Sequence, residues 1–272
     1  MILSSLALIP NRQVPALLDT YSGAIGAFSL RRLRTAYTGY AMQVRRSSDD
    51  QLLDVGFNGS GELDTVSLLA FVGSGDGFVS KWYDQSGYNN FAYQNNFANQ
   101  PIIVSSGVVR TNGTKPSIYW DSPSPHMLII NNNVWSGVSG IRSAFINIKW
   151  VTGSGLSPIL GETSDGMYHA DTTGANLILS EAYASPNIKY GALYINNVSK
   201  NLNEFYRNTN TNQLVTMIHL DATGYLNQLT RDRGDTSSYF KGYYTEIVLY
   251  GTDQTSNRNA ISQDINTFYS IY

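Results

Sequence analysis

Along this chain the apolar residues recur mostly at every second position, in short runs separated by Gly, Asn, Ser and Asp. Alternation of that kind marks strands with one face buried. It shows first at residues 41–46 and 52–57, where Met42 and Val44 are answered by Leu53, Val55 and Phe57. Ser47-Ser48-Asp49-Asp50 between them supplies turn chemistry, so the two runs predict a β-hairpin. Residues 77–83 predict the next strand, broken by Asp84-Gln85-Ser86-Gly87. Further candidates follow at 102–104, 117–120, 127–130, 143–151, 157–161, 166–170, 176–180, 188–195, 213–221, 224–230 and 240–250. Many short strands at such spacing make an all-β sandwich or barrel.

A helical period replaces the alternation in a few places. Residues 21–33 predict a short helix with Ala24, Ala27, Phe28 and Leu30 on its apolar side. Asp64 is placed to cap another through Phe71, turning Leu68, Leu69 and Phe71 inward. Near the end, Ser256 or Thr255 can cap a helix carrying Ile261, Ile265 and Phe268 at steps of four and three. The predicted architecture is therefore an antiparallel sandwich with a few short helices, closed by one amphipathic C-terminal helix. Residues 1–18 fit neither period. Pro10 and Pro15 stand among apolar residues, which suits an extended arm lying on another surface or an edge strand of the same domain. Residues 19–272 then form one domain, with no internal repeat or low-complexity linker.

Composition narrows the chemistry. Charged residues make up 14% of the 272, against roughly 25% in typical soluble domains. The formal net charge is −2, so neither a nucleic acid nor an anionic membrane is an expected partner. Asn, Ser, Thr, Gly and Tyr fill the gap, a surface suited to sugars or neighbouring subunits. The absence of cysteine removes disulfides, thiolate nucleophiles and Cys-based zinc sites. No apolar run reaches transmembrane length. Residues 1–10 lack the basic start and small-residue cleavage site of a signal peptide. The sequons at Asn58, Asn112 and Asn197 are accordingly read as chance matches.

Candidate reactive groups are sparse. His126, His169 and His219 are far apart and lack metal-ligand spacing; His169 with Asp171 reads as a strand-end polar pair. Arg31, Arg32 and Arg34 read as a solvent-facing or carboxylate-paired helix side rather than a nucleic-acid patch. Asp84-Gln85-Ser86-Gly87 could offer oxygens to Ca²⁺, but a hard cation wants six to eight, so a turn is expected and no cofactor is implied. Residues 72–77 read as a flexible Gly-rich connection, not a phosphate loop.

Three blocks carry a family resemblance: Ala36-Tyr37-Thr38-Gly39-Tyr40, Val44-Arg45-Arg46-Ser47-Ser48-Asp49-Asp50, and Trp82-Tyr83-Asp84-Gln85-Ser86-Gly87. They resemble the amino-terminal half of the arabinofuranosidase B catalytic domain, of glycoside hydrolase family 54. Glu246-Ile247-Val248-Leu249-Tyr250 and the following helix are similar to the close of LamG-like domains. The fold implied is a concanavalin A-like jelly-roll sandwich. A retaining glycosidase needs two carboxyl groups about 5–5.5 Å apart. By this resemblance the nucleophile would stand just before an Asn-Asn pair, where this chain has Ile195 before Asn196-Asn197. The acid/base would fall at Asp232 or Asp235, and Glu162 or Glu181 could serve as displaced nucleophiles.

Sequences with this opening also resemble bacteriophage virion proteins. The resemblance implies a non-catalytic virion component, decorating a capsid or forming part of a tail or fibre. Its expected partners are other virion proteins and further copies of itself, and its expected location is the virion. Carbohydrate binding is compatible with that role, through exposed Trp135, Tyr168, Tyr183, Tyr190 and Tyr206. The alternatives are an arabinofuranosidase-like hydrolase or a bacterial carbohydrate-binding module.

Overall fold

The computed structural model describes residues 15–121, 126–131, 140–151, 157–161, 178, 191–201, 208–222, 228–230 and 240–272, with backbone alone at 219, 221 and 222. The first elements are helix α1 (Leu17–Thr20), strands β1 (Ala24–Ser29), β2 (Met42–Arg46) and β3 (Leu52–Val55), and helix α2 (Thr65–Val72). Then come β4 (Gly77–Tyr83), β5 (Phe91–Tyr93), β6 (Ile102–Ser105), β7 (Val108–Val109), β8 (Thr111–Asn112), β9 (Lys115–Pro116) and β10 (Ile118–Trp120). The later strands are β11 (Leu128–Ile130), β12 (Ile141–Trp150), β13 (Leu160–Gly161), β14 (Ala192–Ile195) and β15 (Val198–Lys200). Strands β16 (Gln213–Ala222), β17 (Gln228–Leu229) and β18 (Gly242–Tyr250) lead to helix α3 (Arg258–Tyr269).

The expected jelly-roll sandwich is what forms. All pairings are antiparallel. One sheet runs β1-β18-β12-β16-β14-β15. The other runs β3-β2-β4-β5-β11-β17-β13. They are joined because β18 changes partners along its length: Gly242–Tyr244 pairs with β10, and Glu246–Tyr250 pairs with β1. Strands that switch sheets in this way make the corners of a sandwich.

Two apolar layers result from the alternation. Ala144, Ile146, Ile148 and Trp150 of β12 face the core between the sheets, together with Trp82, Trp120 and Phe240. Phe145 faces the other way, into a second cluster with Leu17, Leu18, Leu33, Val248, Ile261 and Ile265. Helices α1 and α3 therefore cover the outside of the first sheet. α1 also straddles the 18/19 boundary drawn from sequence, with Leu17 and Leu18 both buried.

The hairpin β2–β3 forms in the expected register, Met42 opposite Val55 and Val44 opposite Leu53. α2 forms as well, with Asp64 accepting the Ser67 N–H at 3.0 Å and the Ser67 hydroxyl at 2.5 Å. These bonds to Ser67 hold the Asp64 carboxyl below the usual aspartate value of 3.8. Asp64→Ala is expected to cost about 1 kcal/mol at neutral pH. Because the folded-state value is depressed, that contribution is fully present above pH 3.8 and is lost as pH falls through the lower folded value. Denaturant titrations of both proteins at pH 7 and at progressively lower pH below 3.8 check this: the gap should narrow as the pH falls.

Residues 21–33 do not form a helix. They hold β1, buried along its whole length. A bulge between Ala24 and Gly26 shifts the phase of the alternation. Ala24 and Ala27 then face the helices while Ile25 and Phe28 face the sheet core, which imitates a helical spacing. The cap of α3 is Asn257 rather than Ser256 or Thr255, and Thr255 instead bonds Asp253 through its N–H and hydroxyl. The 72–77 segment is held to its neighbours by hydrogen bonds at Gly75 and Asp76. Ser47 N–H donates to Asp76 O, Gly107 N–H to Gly75 O, and Ser106 N–H to the Asp76 carboxylate.

Candidate functional site

The position before the Asn-Asn pair is well described. Ile195 ends β14 and is 3% exposed, inside the main core. It pairs with Val198 across Asn196 and Asn197, whose φ values are +48° and +65°. Two successive positive φ angles make a type I′ hairpin turn, which Asn tolerates. Asn196 is fixed further: its Oδ1 accepts the Leu214 N–H at 2.9 Å, and its own N–H donates to Leu214 O. Asn197 Oδ1 accepts from Arg258. The pair is thus accounted for by turn geometry, and the residue before it is a core aliphatic. Ile195→Glu is expected to destabilise the fold by several kcal/mol, because it buries a carboxylate in an apolar cluster, and to install no hydrolysis. Thermal melts and an arabinofuranoside assay of this variant check both halves.

The other carboxylates and aromatics nominated from sequence lie outside the described residues. These are Glu162, Glu181, Asp232 and Asp235, and Trp135, Tyr168, Tyr183, Tyr190 and Tyr206. The same holds for His169, Asp171 and the His219 side chain. His126 is described and buried; its Nδ1 accepts the Asp121 N–H at 2.9 Å, and burial lowers its pKa. Among the described residues no three metal-ligating side chains converge.

The Asp84-Gln85-Ser86-Gly87 block is an internal brace rather than a cation loop. Asp84 accepts from Ala27 N–H (2.7 Å), Ser86 N–H (2.8 Å), the Ser86 hydroxyl (2.5 Å) and Asn90 Nδ2 (3.3 Å). Its oxygens thus meet donor hydrogens, the opposite of what a metal requires. Burial pushes its carboxyl above the ordinary range despite these bonds. Gln85, fully buried, accepts the Leu33 N–H at 2.8 Å and donates to Ser29 O and Arg31 O. The block ties β4 to β1 and to the loop after it.

Arg31 is buried and carboxylate-paired, the second of its two expected settings, rather than solvent-facing. Its Nε and Nη2 bond Glu246 Oε2 and Oε1 at 2.8 and 2.9 Å, and Nη2 also meets Asp264 Oδ1 at 2.7 Å. Glu246 further accepts the Ser29 and Tyr269 hydroxyls at 2.7 and 3.1 Å. Burial works against the charge on Arg31, but the Glu246 carboxylate outweighs it and the pKa is raised. Glu246 and Asp264 are therefore two carboxylates bridged by a guanidinium. That geometry leaves no room between them for a sugar ring, and Glu246 has no exposure at all.

A groove of about 880 Å³ opens beside this network. Its walls come from α1, the Gly59–Gly61 loop and α3, and Arg31, Arg32, Lys115, Asp264 and Phe268 line it. Two of its cations are engaged: Arg31 with Glu246 and Asp264, and Lys115, whose Nζ meets Glu62 at 2.5 Å and lies over the Phe268 ring at 4.2 Å. Nothing in the sequence marked this groove, since its residues come from five separated segments.

No family model matches the chain, and no curated protein sequence matches it. Three solved structures are similar in fold. A mutant of a glycoside hydrolase family 54 α-L-arabinofuranosidase soaked with 4-nitrophenyl α-L-arabinofuranoside gives a TM-score of 0.57 at 13% identity. An α-L-arabinofuranosidase of the same family soaked with a cyclic sulfate inhibitor gives 0.54 at 14%. An arabinofuranosidase complexed with arabinofuranosyl-α-1,2-xylobiose gives 0.52 at 15%. Each alignment covers 93% of this chain and 64% of the other, so the chain spans somewhat less than two thirds of their length. At such identities the likeness is one of fold: this chain folds as the β-sandwich seen in family 54 arabinofuranosidases.

Proposed function

We propose that this chain is a non-catalytic, lectin-like sandwich that serves as a structural component of a bacteriophage virion, in a capsid decoration, tail or fibre. The observation that carries the non-catalytic half is Ile195, buried in the core ahead of a tight Asn-Asn turn. A retaining mechanism needs a carboxylate nucleophile facing an open sugar site. Two further facts support the reading. Asp84 is saturated by hydrogen-bond donors, and Glu246 is locked by Arg31. The virion setting is supported by the resemblance of the opening blocks and by a surface rich in uncharged polar groups. Other virion proteins and further copies of the chain are its proposed partners, and symmetric homo-oligomers are the default for such assemblies.

The test has two arms. Purified chain is incubated with 4-nitrophenyl α-L-arabinofuranoside, and gradient-purified particles from the encoding phage are probed for the chain by mass spectrometry. No turnover together with stoichiometric presence in particles is the expected result. Turnover, or absence of the chain from particles, contradicts the proposal.

A further inference from the structure

The two sheets are treated differently on their outer faces. The β1-β18-β12 sheet is covered by α1 and α3, whereas the outside of β3-β2-β4-β5-β11 carries a band of aromatic and polar side chains. We infer that this outer face, centred on Tyr83, Phe91 and Tyr93, is a binding platform for a neutral oligosaccharide. This rests on the lectin-like part of the proposed function and gives it a site.

Register places the groups. Lys81 stands opposite Tyr93 and Tyr83 opposite Phe91 across β4–β5, so four side chains form a block on one face. Alternation sends them outward: Trp82 and Ala92 between them are fully buried in the core, while all four are partly exposed. Cross-strand neighbours on such a face stand about 4.5–5.5 Å apart at Cβ. The row continues through Gln43 and Asp54 on one side and Ile129 on the other. Tyr40, 49% exposed, packs at 6.3 Å from Tyr83, and Phe91 and Tyr93 meet edge to face at 5.7 Å.

The polar groups at this face are only partly used. Asp54 Oδ1 accepts Tyr83 OH at 2.7 Å and Gln43 Nε2 at 3.1 Å, and among the described residues no donor reaches its Oδ2. Lys81 lies over the Phe91 ring at 5.3 Å and makes no ion pair among the described residues. An acceptor and a donor therefore flank three rings, of which Tyr83 and Tyr93 carry hydroxyls and Phe91 does not. Sugars present that mixture: apolar C–H faces that lie on aromatic rings, and hydroxyls that bond at the edges. One acid and one ammonium cancel, which favours an uncharged ligand over a phosphate or sulfate polymer. A second copy of the chain is a poorer fit, because the centres of protein interfaces are depleted of charged residues and these rings are interleaved with Asp54 and Lys81.

Affinity electrophoresis tests the inference, with the chain run through gels containing arabinan, xylan, β-glucan, mannan or heparin. At least one neutral polymer is expected to retard it. Tyr93→Ala should cut that retention about tenfold, and Lys81→Met and Asp54→Asn several-fold each, with far-ultraviolet circular dichroism unchanged. The surface changes Lys81→Met and Asp54→Asn keep the test decisive should Tyr93→Ala fail to fold. Retardation by no neutral polymer, retardation by heparin alone, or full retention in the folded variants overturns the inference. Arabinofuranoside turnover would contradict the non-catalytic reading while leaving these gel results to stand by themselves.

Discussion

Arg31→Ala is expected to lower the free energy of unfolding by about 3–5 kcal/mol, the cost of leaving a buried carboxylate without its partner. Glu246 is 0% exposed and takes two of its four close hydrogen bonds from the Arg31 guanidinium. Removing the cation leaves the carboxylate with two hydroxyl donors in a layer sealed by α3. Asp264 loses its cation at the same time, but it is partly solvated and contributes less. A domain of this size should show a melting temperature lower by about 10 °C. The double change Arg31→Met with Glu246→Leu removes the buried pair and is expected to recover part of the loss, because the pair itself is close to neutral against apolar packing while Asp264 and the Ser29 and Tyr269 hydroxyls still lose a partner. Thermal melts of the single and double variants decide this. A single variant as stable as the parent would show that the network is not a brace.

Gln85→Ala is expected to cost about 3 kcal/mol or more. The side chain is fully buried and satisfies one N–H and two carbonyls, at Leu33, Ser29 and Arg31. Each orphaned buried group costs about 1–3 kcal/mol. Gln85→Glu separates hydrogen bonding from shape: it keeps the acceptor toward Leu33 but sets an oxygen against two carbonyls. It should be no better than alanine. Equilibrium denaturation of both variants measures the effect, and a loss under 1 kcal/mol would contradict the bracing role.

The two expectations share a lesson about what the sequence could carry. The hairpin β2–β3 was legible because turn residues and alternation agree there, and α2 because Asp64 and an apolar run agree. β1 was not, because a bulge moves the phase and both of its faces are buried, so Ala24, Ala27 and Phe28 imitate a helix. The block from Asp84 to Gly87 was visible as a motif, and its turn role was legible. Its bracing of residues 57 and 52 positions away was not, since local composition says nothing of such partners. Of the two settings the sequence allows for Arg31, solvent-facing or carboxylate-paired, the second forms, but which carboxylates it pairs with is not legible because they stand 215 and more positions further on. The open aromatic face was missed for a different reason. Nineteen tyrosines make any set easy to nominate, and only strand register reveals which of them share a face.

The proposed lack of a working nucleophile is the claim on which the functional account stands, and covalent trapping addresses it directly. A retaining arabinofuranosidase forms a glycosyl-enzyme ester with one carboxylate. The chain is incubated with an arabinofuranose-configured cyclic sulfate, and its intact mass is measured. The account predicts the unmodified mass of the 272-residue chain at every reagent concentration. A single stoichiometric adduct, mapped to an aspartate or glutamate and lost when that residue is replaced by its amide, would contradict it.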